Sequence, residues 1–325
     1  MTSGSSLFLR LAFAVSAWLV AVGAAAQAWP TKPVKFVVGF APGGGTDLVG
    51  RAIATKMADA LGLPVVVENK PGASGTLSAE LVAKSPADGY TLLVTAAGIL
   101  AIAPNFSKVG YDTFKDFEHI ALFVTSPYVV VVNPSVPAKS LAELNALAKA
   151  KPGALNFGSS GTGGAPHLSG ELYNHLAGVK LVHVPYKGLA PALTDLLGGQ
   201  IQLSFADINL VLKHIEAGKL RALAITGSKR FAGLPDLPTV VEAGVPGYRA
   251  ETWYGLSAPA GTPRAIVQRL YTEARKAVDA PDVQQRFLSQ GLIPSTLNSA
   301  EYAALVAEDH AKWTKLIKDG NIKPN

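Results

Sequence analysis

The sequence predicts an α/β protein of two lobes joined by two crossing strands. Three observations lead there. Short apolar runs alternate with amphipathic stretches from Val34 onward, as strand–helix units of a mainly parallel sheet do. The same layout starts again after Tyr128. Two long apolar runs, Tyr128–Val132 and Trp253–Ala258, each with a proline just downstream, bracket the second copy.

Taken in order, Val34–Val38 reads as a strand, Asp47–Leu61 as a helix, Val65–Val67 as a strand and Leu77–Ala83 as a helix. Tyr90–Val94 is a third strand, because Ser85-Pro86-Ala87-Asp88-Gly89 is a turn cluster that cannot continue the helix. In the second copy Leu155–Phe157 is a strand, Pro166–Leu176 a helix, Val182–Val184 a strand and Ala190–Leu197 a helix. In both copies the first and second loops lie roughly 30 residues apart, about one βαβ unit. Helices at Pro263–Ala280, Asp282–Gln290 and Ala300–Asp319 follow the second long run. If both long runs cross between lobes, the chain leaves lobe 1 (29–128), builds lobe 2 (129–253) and returns to finish lobe 1 (254–325). Two such crossings can act as a hinge.

Composition narrows the function. Of 325 residues 49% are hydrophobic and 16% charged, which disfavours disorder, and 32 glycines and 22 prolines imply many turns between short elements. Arg10, the apolar run Leu11 to Val22 and the small-residue site Ala26-Gln27-Ala28 read as a cleavable secretory signal over residues 1–28. The run is shorter than the ~20 apolar residues of a spanning helix. With no cysteine in the chain, disulfides, thiolate metal sites, a cysteine nucleophile and a lipid-anchor cysteine are excluded. The net charge of +6 is scattered rather than clustered, which argues against nucleic acid as a partner.

Two glycine-rich loops carry the chemistry. Pro42-Gly43-Gly44-Gly45-Thr46-Asp47 joins a strand to a helix, so its amides point at one spot backed by the helix dipole, an arrangement suited to a carboxylate or a phosphate. A dinucleotide fingerprint would need a third glycine where Leu48 stands, although Glu68 imitates the ribose-binding acid; the Walker pattern is absent. Asp47 could meet a ligand's amine or hydroxyl, or cap the helix with Thr46. In the second loop, Gly158-Ser159-Ser160-Gly161-Thr162-Gly163-Gly164, hydroxyls join the amides, while the hydrolase elbow G-x-S-x-G is one residue out of register. His167 stands beside that loop at a helix start, and Lys187-Gly188 at a sheet's carboxyl-end crevice. The six histidines show no metal-binding spacing, and neither a metal nor a cofactor is expected.

In combination these segments resemble the extracytoplasmic solute-binding proteins of tripartite tricarboxylate transporters, the Bordetella uptake gene (Bug) type. The resemblance runs through Phe40-Ala41-Pro42-Gly43-Gly44-Gly45-Thr46-Asp47, Glu68-Asn69-Lys70-Pro71-Gly72-Ala73-Ser74-Gly75, Val184-Pro185-Tyr186-Lys187-Gly188 and Trp253-Tyr254-Gly255-Leu256. It implies a type II periplasmic binding protein, a Venus flytrap closing on its ligand, exported to the periplasm, non-catalytic and monomeric. It implies a small di- or tricarboxylate, an aromatic dicarboxylate or an acidic amino acid as ligand, and membrane permease subunits as partners. Carried over by position, lobe 1 would contact ligand through Gly43, Gly44, Gly45, Thr46, Asp47, Ala73, Ser74, Gly75, Thr95 and Ala96. Lobe 2 would use Ser159, Ser160, Gly161, Thr162, Gly163, His167, Lys187, Gly188 and Asp207. Where many members have Asp-Asn after a phenylalanine, this chain has Phe205-Ala206-Asp207, which leaves that contact open. Two other readings also stay open: a sensor presenting its closed form to a membrane receptor kinase, and a nucleotide-dependent enzyme.

Overall fold

The computed structural model describes residues 29–227, 229–319 and 322; the secretory signal expected at 1–28 lies outside them. In chain order the first lobe begins with β1 (Val34–Val38), α1 (Gly45–Leu61), β2 (Val65–Asn69), α2 (Thr76–Ala83) and β3 (Thr91–Ala96). β1 buries four of its five residues because it lies between β2 and β3 with helices over the sheet. Helix α1 buries Val49, Ile53 and Met57 and stops at Gly62, whose left-handed backbone (φ 69°) returns its N–H to the Ala58 carbonyl.

After β3 come a π-helical turn (Gly98–Ile102) and the short α3 (Ala103–Phe106), then β4 (Phe117–Val132). The second lobe holds α4 (Leu141–Ala150), β5 (Asn156–Ser159), α5 (Ala165–Ala177), β6 (Val182–Pro185), α6 (Leu189–Leu197), β7 (Leu203–Asp207), α7 (Ile208–Glu216) and β8 (Arg221–Ile225). β9 (Glu251–Pro259), α8 (Arg264–Asp279), α9 (Pro281–Ser289), β10 (Ile293–Pro294) and α10 (Ser299–Asp319) complete the first lobe, where α10 packs on β4 and the π-turn.

The sequence suggests a separate strand at Tyr128–Val132, but these residues are the last third of the 16-residue β4. Pro127, which has no N–H to give a ladder, and the polar His119, Thr125 and Ser126 hide the first part of the strand. Phe117 to Pro127 pairs with β9, Tyr128 to Val132 pairs with β7 on one side, and Val129 to Val132 with β8 on the other. β4 thus belongs to both sheets. Its side chains alternate: Val130 and Val132 enter the larger core, Val129 and Val131 the smaller one beneath α7. The sheets are mixed rather than mainly parallel, since β4 and β9 run antiparallel to their neighbours.

Register brings the loops together. Val38 is level with Asn69 and Val94, so the turns after β1, β2 and β3 leave from one sheet edge. Ser159 is level with Pro185 and Gly158 with Ser204, which places the turns after β5, β6 and β7 on one edge of the other sheet. The two edges face each other across a cleft, the expected crevice at strand carboxyl ends.

Candidate ligand-binding cleft

The first-lobe loop is shaped from behind by Asp47. Its carboxylate accepts from the Gly43 amide at 3.0 Å, from Asn69 Nδ2 at 2.8 Å and from Arg51 Nε at 3.0 Å to each oxygen. Asn69 in turn donates to the Phe40 carbonyl, binding both ends of the loop. Burial pushes the Asp47 carboxyl up, but the Arg51, Gly43 and Asn69 donors together hold it below its ordinary value. With Asp47 engaged there, the amides of Gly45 and Thr46 precede the first helical bond, Leu48 N–H to the Gly44 carbonyl, and stay free.

The second-lobe loop is shaped in the same way from beneath. The Gly163 amide donates to His167 Nδ1 at 3.1 Å, and Ser159 Oγ lies 2.6 Å from His183 Nε2. The two imidazole rings are 3.9 Å apart between centroids and both are buried. Burial, then the His183 neighbour, lowers the His167 pKa to about 3, and burial lowers His183 to about 4, so both props are neutral. His167 also meets Phe106 of the other lobe edge-on, with ring centroids 5.5 Å apart.

Between these loops lies a narrow inner cavity, with about 40 Å³ open to the centre of a water molecule, and an outer one of about 450 Å³, separated by Phe40 and Ser160. Four helices begin at the inner cavity or its rim: α1 after Gly44, α5 after Gly164, α6 after Gly188 and α7 after Asp207. None of the four N-caps gives its helix a side-chain hydrogen bond. Three of these, α1, α5 and α6, open on glycine and direct their positive dipole ends at one space, which favours an anion, while α7 opens on the carboxylate of Asp207. Tyr128, Thr252 and Tyr254 close the hinge side, and no lysine or arginine lines this inner space among the described residues.

The lobes touch. The Ser74 hydroxyl donates to the Thr162 carbonyl, and a Cβ on Gly98 would stand 3.3 Å from the Ala165 amide. Ala73 (φ 46°) and Ser74 (φ 55°) hold left-handed backbone at this rim, a conformation costing roughly 1–2 kcal/mol per L-residue.

Of the residues expected from sequence, Gly44, Gly45, Thr46, Ala96, Ser160, Gly188 and Asp207 line the inner cavity. Ala73, Ser74, Gly75, Gly161, Thr162 and Lys187 line the outer one, which Ser160 shares. Asp47, Ser159, Gly163 and His167 sit behind the loop surfaces, Gly43 is an exposed loop residue whose amide Asp47 takes up, and Thr95 is buried with its hydroxyl 2.6 Å from that of Tyr302. Sequence reasoning missed the hinge-side wall of Tyr128, Thr252 and Tyr254 and the apolar lining from Phe40, Leu189 and Ala190. Tyr254 was legible within the Trp253–Ala258 run, but nothing in its spacing says which face meets the cleft. No cluster of acidic or imidazole groups able to hold a metal occurs among the described residues.

Fold and cleft together define a two-lobed solute-binding protein of the periplasmic type. The comparisons take this further: residues 49–322 match the family model described as "Tripartite tricarboxylate transporter family receptor", and the chain belongs to that family. It is 34% identical over 306 residues to Protein BugT of Bordetella pertussis, covering 94% of each chain. Among solved structures it is similar to Rpa4515 of R. palustris with adipate (36% identity, TM-score 0.88, covering 91% of this chain and 100% of that one). It is similar as well to MatC of Rhodopseudomonas palustris with bound malate (35% identity, TM-score 0.86, covering 89% and 100%). No helix among the described residues is long and apolar enough to cross a membrane.

Proposed function

We propose that this protein captures a small di- or tricarboxylate between its lobes and delivers it to the membrane permease subunits of a tripartite transporter. The observation that carries the reading is the convergence of three glycine-capped helix N-termini, those of α1, α5 and α6, on one cavity. Neutral dipoles of this kind hold an anion without a fixed counter-charge, at ~1.5–3 kcal/mol per charge-assisted hydrogen bond. The carboxylates named with Rpa4515 and MatC support the ligand class.

In this reading residues 29–128 with 254–325 form one jaw and 129–253 the other, hinged where β4 passes from one sheet to the next. The ligand lies against the amides of Gly44, Gly45 and Thr46 on one side and against Ser160 and Gly188 on the other. Only the closed form lets both sets meet it, so ligand favours closure. The protein acts in the periplasm after loss of residues 1–28, as a monomer and without catalysis; among the described residues the Ser–His pairs Ser159–His183 and His119–Ser257 are both buried and line neither cleft cavity.

A thermal-shift panel of the mature protein against carboxylates tests this. A ligand at 100 times its Kd is expected to stabilise by ~2.7 kcal/mol. A nucleotide that raises the melting temperature where no carboxylate does would overturn it.

A further inference from the structure

Asp207 is out of keeping with the rest of the cleft. The inner cavity is lined by amides, hydroxyls and apolar groups, yet this one carboxylate, 5% exposed, stands in its wall at the end of β7. An aspartate at a helix N-cap ordinarily accepts from the second or third amide of its helix, worth ~1 kcal/mol. Asp207 precedes α7 but makes no such bond. Its Oδ1 is buried with no hydrogen-bond partner, and its Oδ2 faces the first residue of α1, 3.0 Å from where a Cβ on Gly45 would be. A buried carboxylate oxygen without a donor is costly, and such a group in a binding cleft is completed by what the cleft binds.

We propose that Asp207 sets the specificity of this cleft: the ligand must bring a hydrogen-bond donor, a hydroxyl or an ammonium, to Oδ1, so that donor-bearing carboxylates are accepted and unsubstituted dicarboxylates disfavoured. The inference rests on the carboxylate reading above. Two carboxylates in one small, poorly hydrated space repel unless a proton or cation lies between them. A substituent hydroxyl supplies the proton, and an ammonium supplies the proton and the charge. The ionisable groups facing Asp207 are the phenols of Tyr128 and Tyr254, which burial keeps neutral, so the protein itself places no cation against Oδ1 there. Burial pushes the Asp207 carboxyl up to about 6, opposed in part by the Tyr254 hydroxyl, which leaves it mainly ionised at neutral pH.

The test is calorimetric titration of the mature protein at pH 7.5 with acids matched in length: succinate, malate and aspartate; glutarate and glutamate; adipate and 2-aminoadipate. In the series that binds best, a donor-bearing member is expected to bind at least about tenfold more tightly than the unsubstituted one. Asp207→Asn keeps the shape and adds a donor of its own; it is expected to tighten the unsubstituted acid about tenfold and erase most of the preference. Equal affinities in the wild-type protein overturn the proposal, as does an unchanged preference in Asp207→Asn. The wild-type comparison stands even if the variant fails to fold. Tricarballylate with citrate, and phthalate with 4-hydroxyphthalate, extend the series to tricarboxylates and aromatic dicarboxylates; should no acid of any series bind, the carboxylate reading itself falls, whereas binding indifferent to the substituent removes only the role of Asp207.

Discussion

The hydroxyl of Ser74 donates to the carbonyl of Thr162 at 2.5 Å, tying together the rims of two lobes 88 residues apart in sequence. The bond exists only while the lobes touch, so it stabilises the closed form and not the fold of either lobe. Ser74→Ala is therefore expected to weaken carboxylate binding by about 2–10-fold, the range of one neutral hydrogen bond, mainly through faster release. The melting temperature without ligand should stay within about a degree. Dissociation rates from stopped-flow measurements check this; an unchanged rate would sink it.

Gly45 marks the closest approach of α1 to the hinge. A Cβ there would lie 2.5 Å from the Tyr254 hydroxyl and 3.0 Å from Asp207 Oδ2, closer than side chains pack. At Gly44 the nearest atom outside its chain neighbours would be the Ala41 carbonyl at 3.6 Å, an ordinary contact. Gly45→Ala is expected to hold the lobes apart and lower affinity by more than about tenfold, while Gly44→Ala folds normally and has the smaller effect. Small-angle scattering with and without ligand separates them, because the Gly45 variant should fail to become more compact.

Asp47 poses a different question, whether it touches ligand or holds the loop. Both carboxylate oxygens are engaged by Gly43, Arg51 and Asn69. Its loss should first appear in stability: Asp47→Ala is expected to cost about 1–3 kcal/mol, the scale for orphaned buried partners. The sign with pH follows from its lowered pKa. The contribution is present above the ordinary value of 3.8 and is lost as acid titrates the folded carboxyl below it. Denaturant melts at pH 7 and pH 3 check both; full stability with lost affinity would instead make Asp47 a ligand contact.

How much of this could be read from the residues varies from place to place. Val34–Val38 stands as expected, because a short valine-rich run with four of its five residues buried has few alternatives. Helix α1 starts two residues before Asp47, at Gly45, since an N-terminus made by glycine amides has no side-chain signature. Elements outside the sequence reading include the π-turn after β3, α3, α4, α7, β8, β10 and the first two-thirds of β4 around Pro127. Their places are set by tertiary pairing: Ile293 is a strand residue only because Thr125 lies opposite. The glycine loops were legible as turns that line the cleft. That Asp47 and His167 face away from the cleft, and that Tyr254 faces into it, depends on side-chain direction across the lobe contact, which periodicity cannot supply.

Asp207 gives the last prediction, for the protein without ligand. Burial raises its carboxyl from the ordinary 3.8 to about 6, so between those values the folded chain binds more protons than the unfolded one. By linkage, stability then falls as pH rises through this window, the reverse of a salt-bridged acid such as Asp47. The loss is on the order of 2–3 kcal/mol and is complete above about pH 6. Tyr128 and Tyr254, the ionisable groups that meet Asp207, stay neutral throughout this range and add nothing to the slope. Asp207→Asn removes the titration while keeping the shape, so it is expected to be more stable than the wild-type protein at pH 7 and to converge with it below about pH 4. Urea denaturation of both proteins at pH 4, 5, 6 and 7 measures the difference directly, with every other carboxylate cancelling between the two curves. Parallel curves would mean that Asp207 carries its charge without cost, and that a partner for Oδ1 is present before any ligand arrives.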